Sequence, residues 1–447
     1  MRFHGTFAVL AVIGSTVAAG PVDDSVRPVS RSTVETEVSR SVVSLVPVSA
    51  PRNSLRPSLR PALSPEIGAP VLDAAQSGFS EWVVAFRSRA LTQGISGAVF
   101  DRAMRGATYD PDVIRRDRNQ SEFTKTIWDY LDSAASEARV RNGRRALRTN
   151  ESLLDLIEAS YGVDREILVA IWGLESAYGS FRGMTPVIRS LATLAYDARR
   201  QEFFEAQLIA ALKILQDGDV ALADFTGSWA GAMGHTQFIP TSYQTLAVDF
   251  DGDGKRDIWS DDPGDALAST AHYMSKNGWV EGMPWGVEVT IPEGFDYALA
   301  NREVRKLPSE WAELGVVRHD GATEPDHGPA SVLLPAGARG AAFLIFKNFD
   351  VIETYNTADA YVIGVGHLSD RISGGGPIRS DWPRGDRALT FDERKEMQRL
   401  LRERGFDPRK IDGRIGPLTI NAVRAFQASI GDVQDGYASL NLLRKLR

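Results

Sequence analysis

"ILVAIWGLESAYG", Ile167 to Gly179, is an almost unbroken apolar run that carries a single glutamate, Glu175. Asp164 stands where an N-cap belongs and Gly179 where a C′ glycine belongs, so the spacing predicts one short helix. Trp172, Ile171 and Leu168 lie three, four and seven residues before Glu175 and share its face. The segment therefore puts a carboxyl group on the apolar side of a helix. Such a group commonly has a structural explanation, an arginine partner or a cap on a neighbouring helix. The chemical alternative is that apolar surroundings disfavour the charged form, raise the pKa and keep the proton available near neutral pH for general-acid work. Glu175 also falls in the last helical turn, where the negative end of the dipole pushes the same way.

The rest of the chain is ordinary globular stock. It has 447 residues, 43% hydrophobic and 24% charged, enough for two or three domains. A net charge of −7 without a long basic block argues against a nucleic-acid partner. There is no cysteine, which excludes disulfides, thiolate metal sites and a lipid-bearing N-terminal cysteine. Arg2, the apolar run Phe7 to Ile13 and the small residues Val17-Ala18-Ala19 form an export-signal pattern over residues 1–19. No later run approaches the roughly 20 apolar residues of a membrane span, so no integral membrane segment is expected after signal cleavage. The expected location is the periplasm, or the exterior, of a bacterial cell.

Residues 20–72, rich in Pro, Ser and Val and without helical periodicity, read as a disordered tether. Order is expected from "SGFSEWVVAF" onward. "SEFTKTIWDYLDSAASEARV" places Phe123, Ile127, Tyr130, Leu131, Ala134 and Ala138 at three-and-four spacing, which predicts one amphipathic helix. "RRQEFFEAQLIAALKILQDG" predicts another, closed by Gly218. Strand-like signal is scarce until "GVEVTIP" and "AAFLIFKNFDVI". The expected organisation is a mainly helical body over 73–375, a Gly- and Pro-rich joint over 376–387 and a small module over 388–447.

Four motifs follow one another in order: "IWGLESAYG", "GSWAGAMGHTQFIPTSY" (Gly227–Tyr243), "VDFDGDGKRDIW" (Val248–Trp259) and "TYNTADAY" (Thr354–Tyr361). Together they closely resemble the B-type family of lytic murein transglycosylases, over about residues 75–372. The resemblance implies a mainly α, lysozyme-like catalytic domain with minor β structure, acting on the MurNAc–GlcNAc β-1,4 bonds of peptidoglycan glycan strands without hydrolysis. It assigns catalysis to Glu175 alone. The protonated acid gives its proton to the departing glycosidic oxygen. As a carboxylate it then takes one from the C6 hydroxyl of the same muramyl residue, which closes on C1 to leave a 1,6-anhydro end. An ordinary glycosidase pairs two carboxylates, one of which activates water or attacks the sugar; here an internal nucleophile removes that need. Rival readings are a hydrolytic muramidase with a second carboxylate and an inactive peptidoglycan-binding scaffold. The resemblance leaves internal and chain-end cutting open.

The same resemblance carries Ser228 and Gln237 over as polar contacts to Glu175 or the sugar, and Tyr130, Tyr273, Tyr355, Asn356 and Tyr361 as residues along the glycan groove. Tyrosine suits such a site because its ring face packs on sugar C–H groups while its hydroxyl hydrogen-bonds. The plain alternative for Tyr130 and Tyr273 is a helix-face core position. His235-Thr236 departs from the Tyr-Gly pair of many relatives.

"DFDGDGKRD" sets Asp249, Asp251 and Asp253 at alternating positions with Gly254 next, the opening of an EF-hand-like loop for a hard cation such as calcium. The Lys255 carbonyl follows as backbone ligand. The twelfth position is Ser260 rather than Glu; the family's longer loop maps its closing Asp to Asp265, with Asp261 and Asp262 as substitutes. An exposed acidic turn without a metal is the plain alternative. The expected role of calcium is structural, and no organic cofactor is expected. The six histidines show no zinc spacing.

In the last module, Thr390 and Glu393 form a capping box, Gly405 a stop, and Pro417 opens a helix carrying Val423, Phe426 and Ile430. "DGRIGPLTINAVRAFQ" (Asp412–Gln427) resembles the three-helix peptidoglycan-binding domain.

Overall fold

In the computed structural model, which describes residues 69–118 and 125–447, the run that opened the sequence is a helix surrounded by other helices. The expected signal and most of the tether lie outside the described residues. The first helices are α1 (Ala69–Thr92), α2 (Gly97–Ala103), α3 (Pro111–Arg118), α4 (Ile127–Ala134), α5 (Glu137–Thr149), α6 (Glu151–Tyr161) and α7 (Arg165–Ser176). α7 packs against α5 and α6. Ile167 through Gly173 are all buried, so the helix is covered all round rather than along one stripe. Asp164 does occupy the N-cap, but its carboxylate accepts from the Trp279 indole N–H at 2.8 Å instead of capping the helix.

Sequence reading had α4 and α5 as one helix. Thr126 accepts from the Asp129 N–H and starts α4; Ala135 ends it out of helical geometry, and α5 restarts on Val140 with Ala138 exposed. Phe123 lies outside the described residues.

A two-residue ladder of β1 (Thr185–Pro186) and β2 (Thr226–Gly227) flanks the hairpin of α8 (Val187–Tyr196) and α9 (Gln201–Asp217), which Gly218 closes in a left-handed C-cap as expected. Then come α10 (Pro240–Leu246) and α11 (Gly264–Lys276), the latter also against α7.

A four-stranded antiparallel sheet follows, built from β3 (Gly286–Thr290), β4 (Val317–Arg318), β5 (Ser331–Leu333) and β6 (Ala342–Ile345) in the order β4-β3-β6-β5, with α12 (Pro308–Glu313) between β3 and β4. It has its own core around Trp311, Val289, Leu344 and Phe346. "AAFLIFKNFDVI" is strand only as far as Ile345; its second half opens α13 (Lys347–Tyr355). α14 (Asp359–Ile372) returns to pack on α7, α4 and α5. Gly366 lets it do so: a Cβ there would lie 2.2 Å from the Trp285 ring.

The last three helices, α15 (Phe391–Glu403), α16 (Pro417–Ser429) and α17 (Leu440–Leu446), enclose a small core of Met397, Leu401, Val423, Phe426 and Leu443. The Thr390–Glu393 capping box is present, while Ile430, expected on the buried face, is 42% exposed because it sits at the C-cap. Gln76–Arg447 form one compact unit. The Gly- and Pro-rich joint lies along it: Arg379 and Ser380 donate backbone N–H groups to Glu288, Trp382 packs beside Trp128 with centroids 6.2 Å apart, and Arg384 pairs with Asp132.

Candidate active site

Glu175 sits in the final turn of α7, and the turn that follows is unusual. Ala177, Tyr178 and Gly179 all have left-handed backbone, with φ of 50°, 59° and 81°. For the two non-glycine residues this geometry disfavours the fold by about 1–2 kcal/mol each, and it persists only where neighbours impose it. The neighbours are visible. Tyr178 lies in a notch left by two glycines; a Cβ on Gly173 or Gly143 would stand 2.6 or 2.7 Å from the Tyr178 side chain. Its hydroxyl donates to the Arg139 carbonyl at 2.8 Å. The predicted stop at Gly179 thus falls three residues after the last helical residue, Ser176.

The Glu175 side chain is only partly covered, as a proton donor to a ligand requires. Its carboxyl is nevertheless set deeply enough that burial pushes the pKa up to about 7. One group opposes that shift. The Tyr361 hydroxyl, on α14, donates to Glu175 Oε1 at 2.6 Å and favours the charged form. Among the described residues no arginine or lysine pairs with Glu175, so the ion-pair explanation of this carboxyl does not apply. No second carboxylate contributes to its shift either. The Glu175 charge is felt in turn by Tyr130 on α4 and by Tyr355 at the end of α13, whose own pKa values burial already drives upward.

The residues expected along the groove divide into two groups. Tyr355, Tyr361 and Asn356 are 6%, 4% and 3% exposed, and the two hydroxyls are used within the protein, Tyr361 on Glu175 and Tyr355 on the Thr236 carbonyl. Asn356 accepts from the Ala358 N–H at 3.1 Å, and its buried Nδ2 has no hydrogen-bond partner among the described residues. Tyr130 and Tyr273 keep open surface. Tyr273 stands edge-on to Tyr355 at 5.0 Å and donates to the Thr354 carbonyl at 2.7 Å. Ser228 and Gln237 are not brought onto Glu175. Ser228 Oγ accepts from the Ala230 and Ala232 N–H groups, and the Gln237 amide donates to the Arg182 and Gly234 carbonyls. Both organise the glycine-rich loop, and Gln237 itself has left-handed backbone, φ 54°.

The acidic turn also takes shape. Carboxylate oxygens of Asp249, Asp251 and Asp253 lie within 4.8 Å of one another on an exposed turn whose Gly252 and Gly254 have φ of 78° and 90°. Asp265 stands apart from this trio. It is buried, and its two oxygens accept from the Phe250 and Asp257 N–H groups, so it braces the loop from behind. Burial raises its pKa, and the nearby Asp251 and Asp249 charges raise it further. Lys255 donates its N–H to Asp253. Asp262 is occupied at the start of α11 through the Gly264 N–H, and Asp261 pairs with Arg182.

Sequence reasoning passed over the contacts that hold the end of α7, Tyr178 and His235, and Arg182 beside them, whose guanidinium lies 3.2 Å from His235 Nε2 and donates to the Ser260 carbonyl. The only signals were the unexplained glycines at 143 and 173 and the departure at His235.

Residues 78–370 match the family model described as Transglycosylase SLT domain, and residues 391–446 match one described as a peptidoglycan binding domain. The chain is 34% identical over 251 residues to membrane-bound lytic murein transglycosylase B of Escherichia coli, covering 55% of this chain and 66% of that relative. In structure it is similar to SltB3 of Pseudomonas aeruginosa in complex with NAG-anhNAM-pentapeptide, at 52% identity and TM-score 0.81, over 83% of this chain and 99% of the other. It is also similar to the Escherichia coli lytic transglycosylase Slt35 in complex with calcium, at 28% identity and TM-score 0.56, over 67% and 93% of the two chains.

Proposed function

The chain belongs to the SLT-domain transglycosylase family, and from that premise we propose that it cleaves the MurNAc–GlcNAc β-1,4 bonds of peptidoglycan non-hydrolytically, with Glu175 as sole proton carrier. One observation carries the reading: a carboxyl group with pKa near 7, partly open to a ligand and perturbed by no second carboxylate or cation. Near neutral pH a useful fraction is protonated and donates to the glycosidic oxygen as the C1–O bond breaks. The resulting carboxylate is the base for the muramyl C6 hydroxyl. Its proton returns to Glu175 as the C6 oxygen bonds to C1, so the enzyme ends in its starting state and no water enters. Tyr361, donating to Oε1, stabilises the charged half of that cycle.

Tyr130 and Tyr273 offer ring surface to the glycan, with Tyr355, Tyr361 and Asn356 beneath them. Ser228 and Gln237 act through the loop they shape. The C-terminal module, with the short helical core of its matched family, supplies a second hold on the insoluble polymer and raises local substrate concentration. A substrate outside the cytoplasm accords with export by the N-terminal signal pattern and a periplasmic location.

The acidic turn fits a hard cation, because three carboxylates converge with Asp265 crowded behind them. Asp249, Asp251 and Asp253, with the Lys255 carbonyl, would hold calcium. Bound there, the ion supplies positive charge that offsets the carboxylates and steadies the turn.

Mass spectrometry of sacculi digested by the purified protein tests the activity. Anhydro-terminated muropeptides are expected, lighter by one water than reducing-end products; reducing ends alone would make the enzyme a hydrolase. Glu175→Gln should abolish release while sacculus pull-down persists.

A further inference from the structure

His235 occupies a junction that none of the chemistry above uses. Its Nδ1 accepts from the Trp172 indole N–H at 3.1 Å, which places the ring proton on Nε2, and Nε2 donates to the Ser260 carbonyl at 2.8 Å. The first contact holds α7 one turn before Glu175; the second holds the end of the acidic loop. The backbone adds a third tie, because Ser176, the residue after Glu175, donates its hydroxyl to the His235 carbonyl at 2.5 Å and accepts from the Gly179 N–H at 2.9 Å. The ring also fills the space above Gly179, where a Cβ would stand 2.6 Å from it. On the opposite side of the same left-handed turn Tyr178 is wedged into its glycine notch. The turn is therefore gripped from two sides, by Tyr178 against α5 and by His235 against the acidic loop, where the Arg182 guanidinium, 3.2 Å from Nε2, shares the Ser260 carbonyl.

We propose that His235 is a positioning residue for Glu175: its ring bolts the left-handed end of α7 to the acidic loop and so keeps the catalytic carboxyl in its water-poor setting. This rests on the reading of Glu175 as the proton carrier. Burial holds the His235 pKa below its ordinary value, and the charged groups facing it are Arg182, Asp257 and Asp261. The indole donation from Trp172 requires the neutral ring, in which Nδ1 has a lone pair. Glu175 is faced by the hydroxyls of Tyr361, Tyr130 and Tyr355 and by no ionised group.

The test is the pH profile of turnover on sacculi, from pH 5 to 9, for the wild type and for His235→Ala, His235→Asn and His235→Gln. A general acid loses activity as pH rises through its pKa. With the bolt removed water reaches the carboxyl, so in His235→Ala the alkaline limb should move down by about one pH unit, KM staying within about twofold. Glutamine reaches Ser260 as Nε2 does and should return the limb towards the wild-type position. Asparagine is too short for Ser260 and should not. A merely structural loss lowers the amplitude and leaves the limb in place; that result in His235→Ala overturns the proposal. Should the alanine variant fail to fold, the asparagine variant decides in the same way. Wild-type protein that releases no anhydro product, or an active Glu175→Gln variant, would instead overturn the reading of Glu175.

Discussion

Glu175 and Tyr361 form a hydrogen-bonded pair whose strength, on the proposed reading of Glu175 as proton carrier, sets the working pH. The Tyr361 hydroxyl donates to the carboxylate and lowers a pKa that burial has raised. Removing it in Tyr361→Phe takes away a stabiliser of the charged form, so the pKa rises and the alkaline limb of turnover should move up by about one unit. That is opposite in sign to the shift expected on losing His235. The same carboxyl makes a prediction about stability. Its folded pKa, about 7, lies above the ordinary value of 4.5. The folded state therefore holds its proton more tightly; the associated stability is full below about pH 4.5 and lost as pH rises through 7. Glu175→Gln, which cannot ionise, should match the wild type in melting temperature near pH 4 and exceed it at pH 8. The gain is bounded by the shift, up to about 3 kcal/mol. A melting-temperature advantage over the wild type no greater at pH 8 than at pH 4 would mean that the carboxyl is not desolvated.

Among elements, α7 and its terminal turn depend on glycine more than on capping. A Cβ on Gly173 would meet the Tyr178 ring 2.6 Å away, and one on Gly143 would meet its hydroxyl at 2.7 Å. Gly173→Ala should therefore unseat Tyr178 and destabilise the protein by about 1–3 kcal/mol in denaturant titration, despite the better helix propensity of alanine. The acidic turn should respond to calcium in calorimetric titration and thermal melting of chelator-treated protein, with one site lost in Asp251→Asn. Absence of heat and of any melting shift would leave it a plain exposed turn.

At the scale of the whole molecule, the joint packs Ile378 and Trp382 on the main core, while the C-terminal module meets the body through polar contacts. Arg424 donates to the Ala300 carbonyl at 2.7 Å, and the Ala338 N–H donates to Asp435 at 2.9 Å. Gly337 makes the second contact possible: its φ is 67°, and a Cβ there would lie 2.4 Å from the Asp435 carboxylate. Gly337→Ala combines strain with a clash and should speed proteolysis within residues 376–387 while leaving sacculus binding intact. Arg384→Ala removes an ion pair in which both side chains are 56% exposed, and should change stability by less than about 1 kcal/mol.

What the sequence by itself determined is what acts over a few residues. The Thr390–Glu393 box, the stops at Gly218 and Gly405, the acidic turn around Gly252 and Gly254, and the odd carboxyl in an apolar helix all follow from caps, turns and periodicity. Where two local signals competed, as in the stretch that became α4 and α5 or at the β6–α13 junction, tertiary packing chose between them. Tertiary structure alone decided the chemistry around Glu175. Its hydrogen-bond partner lies 186 residues away, and Trp172 meets His235 across 63. A pKa is set by how completely distant helices exclude water from one group, a property of the assembled layers with no counterpart in neighbouring letters. For the same reason Tyr178, unremarkable along the chain, and His235, visible only as a departure from the relatives' pattern, are residues that hold the end of α7.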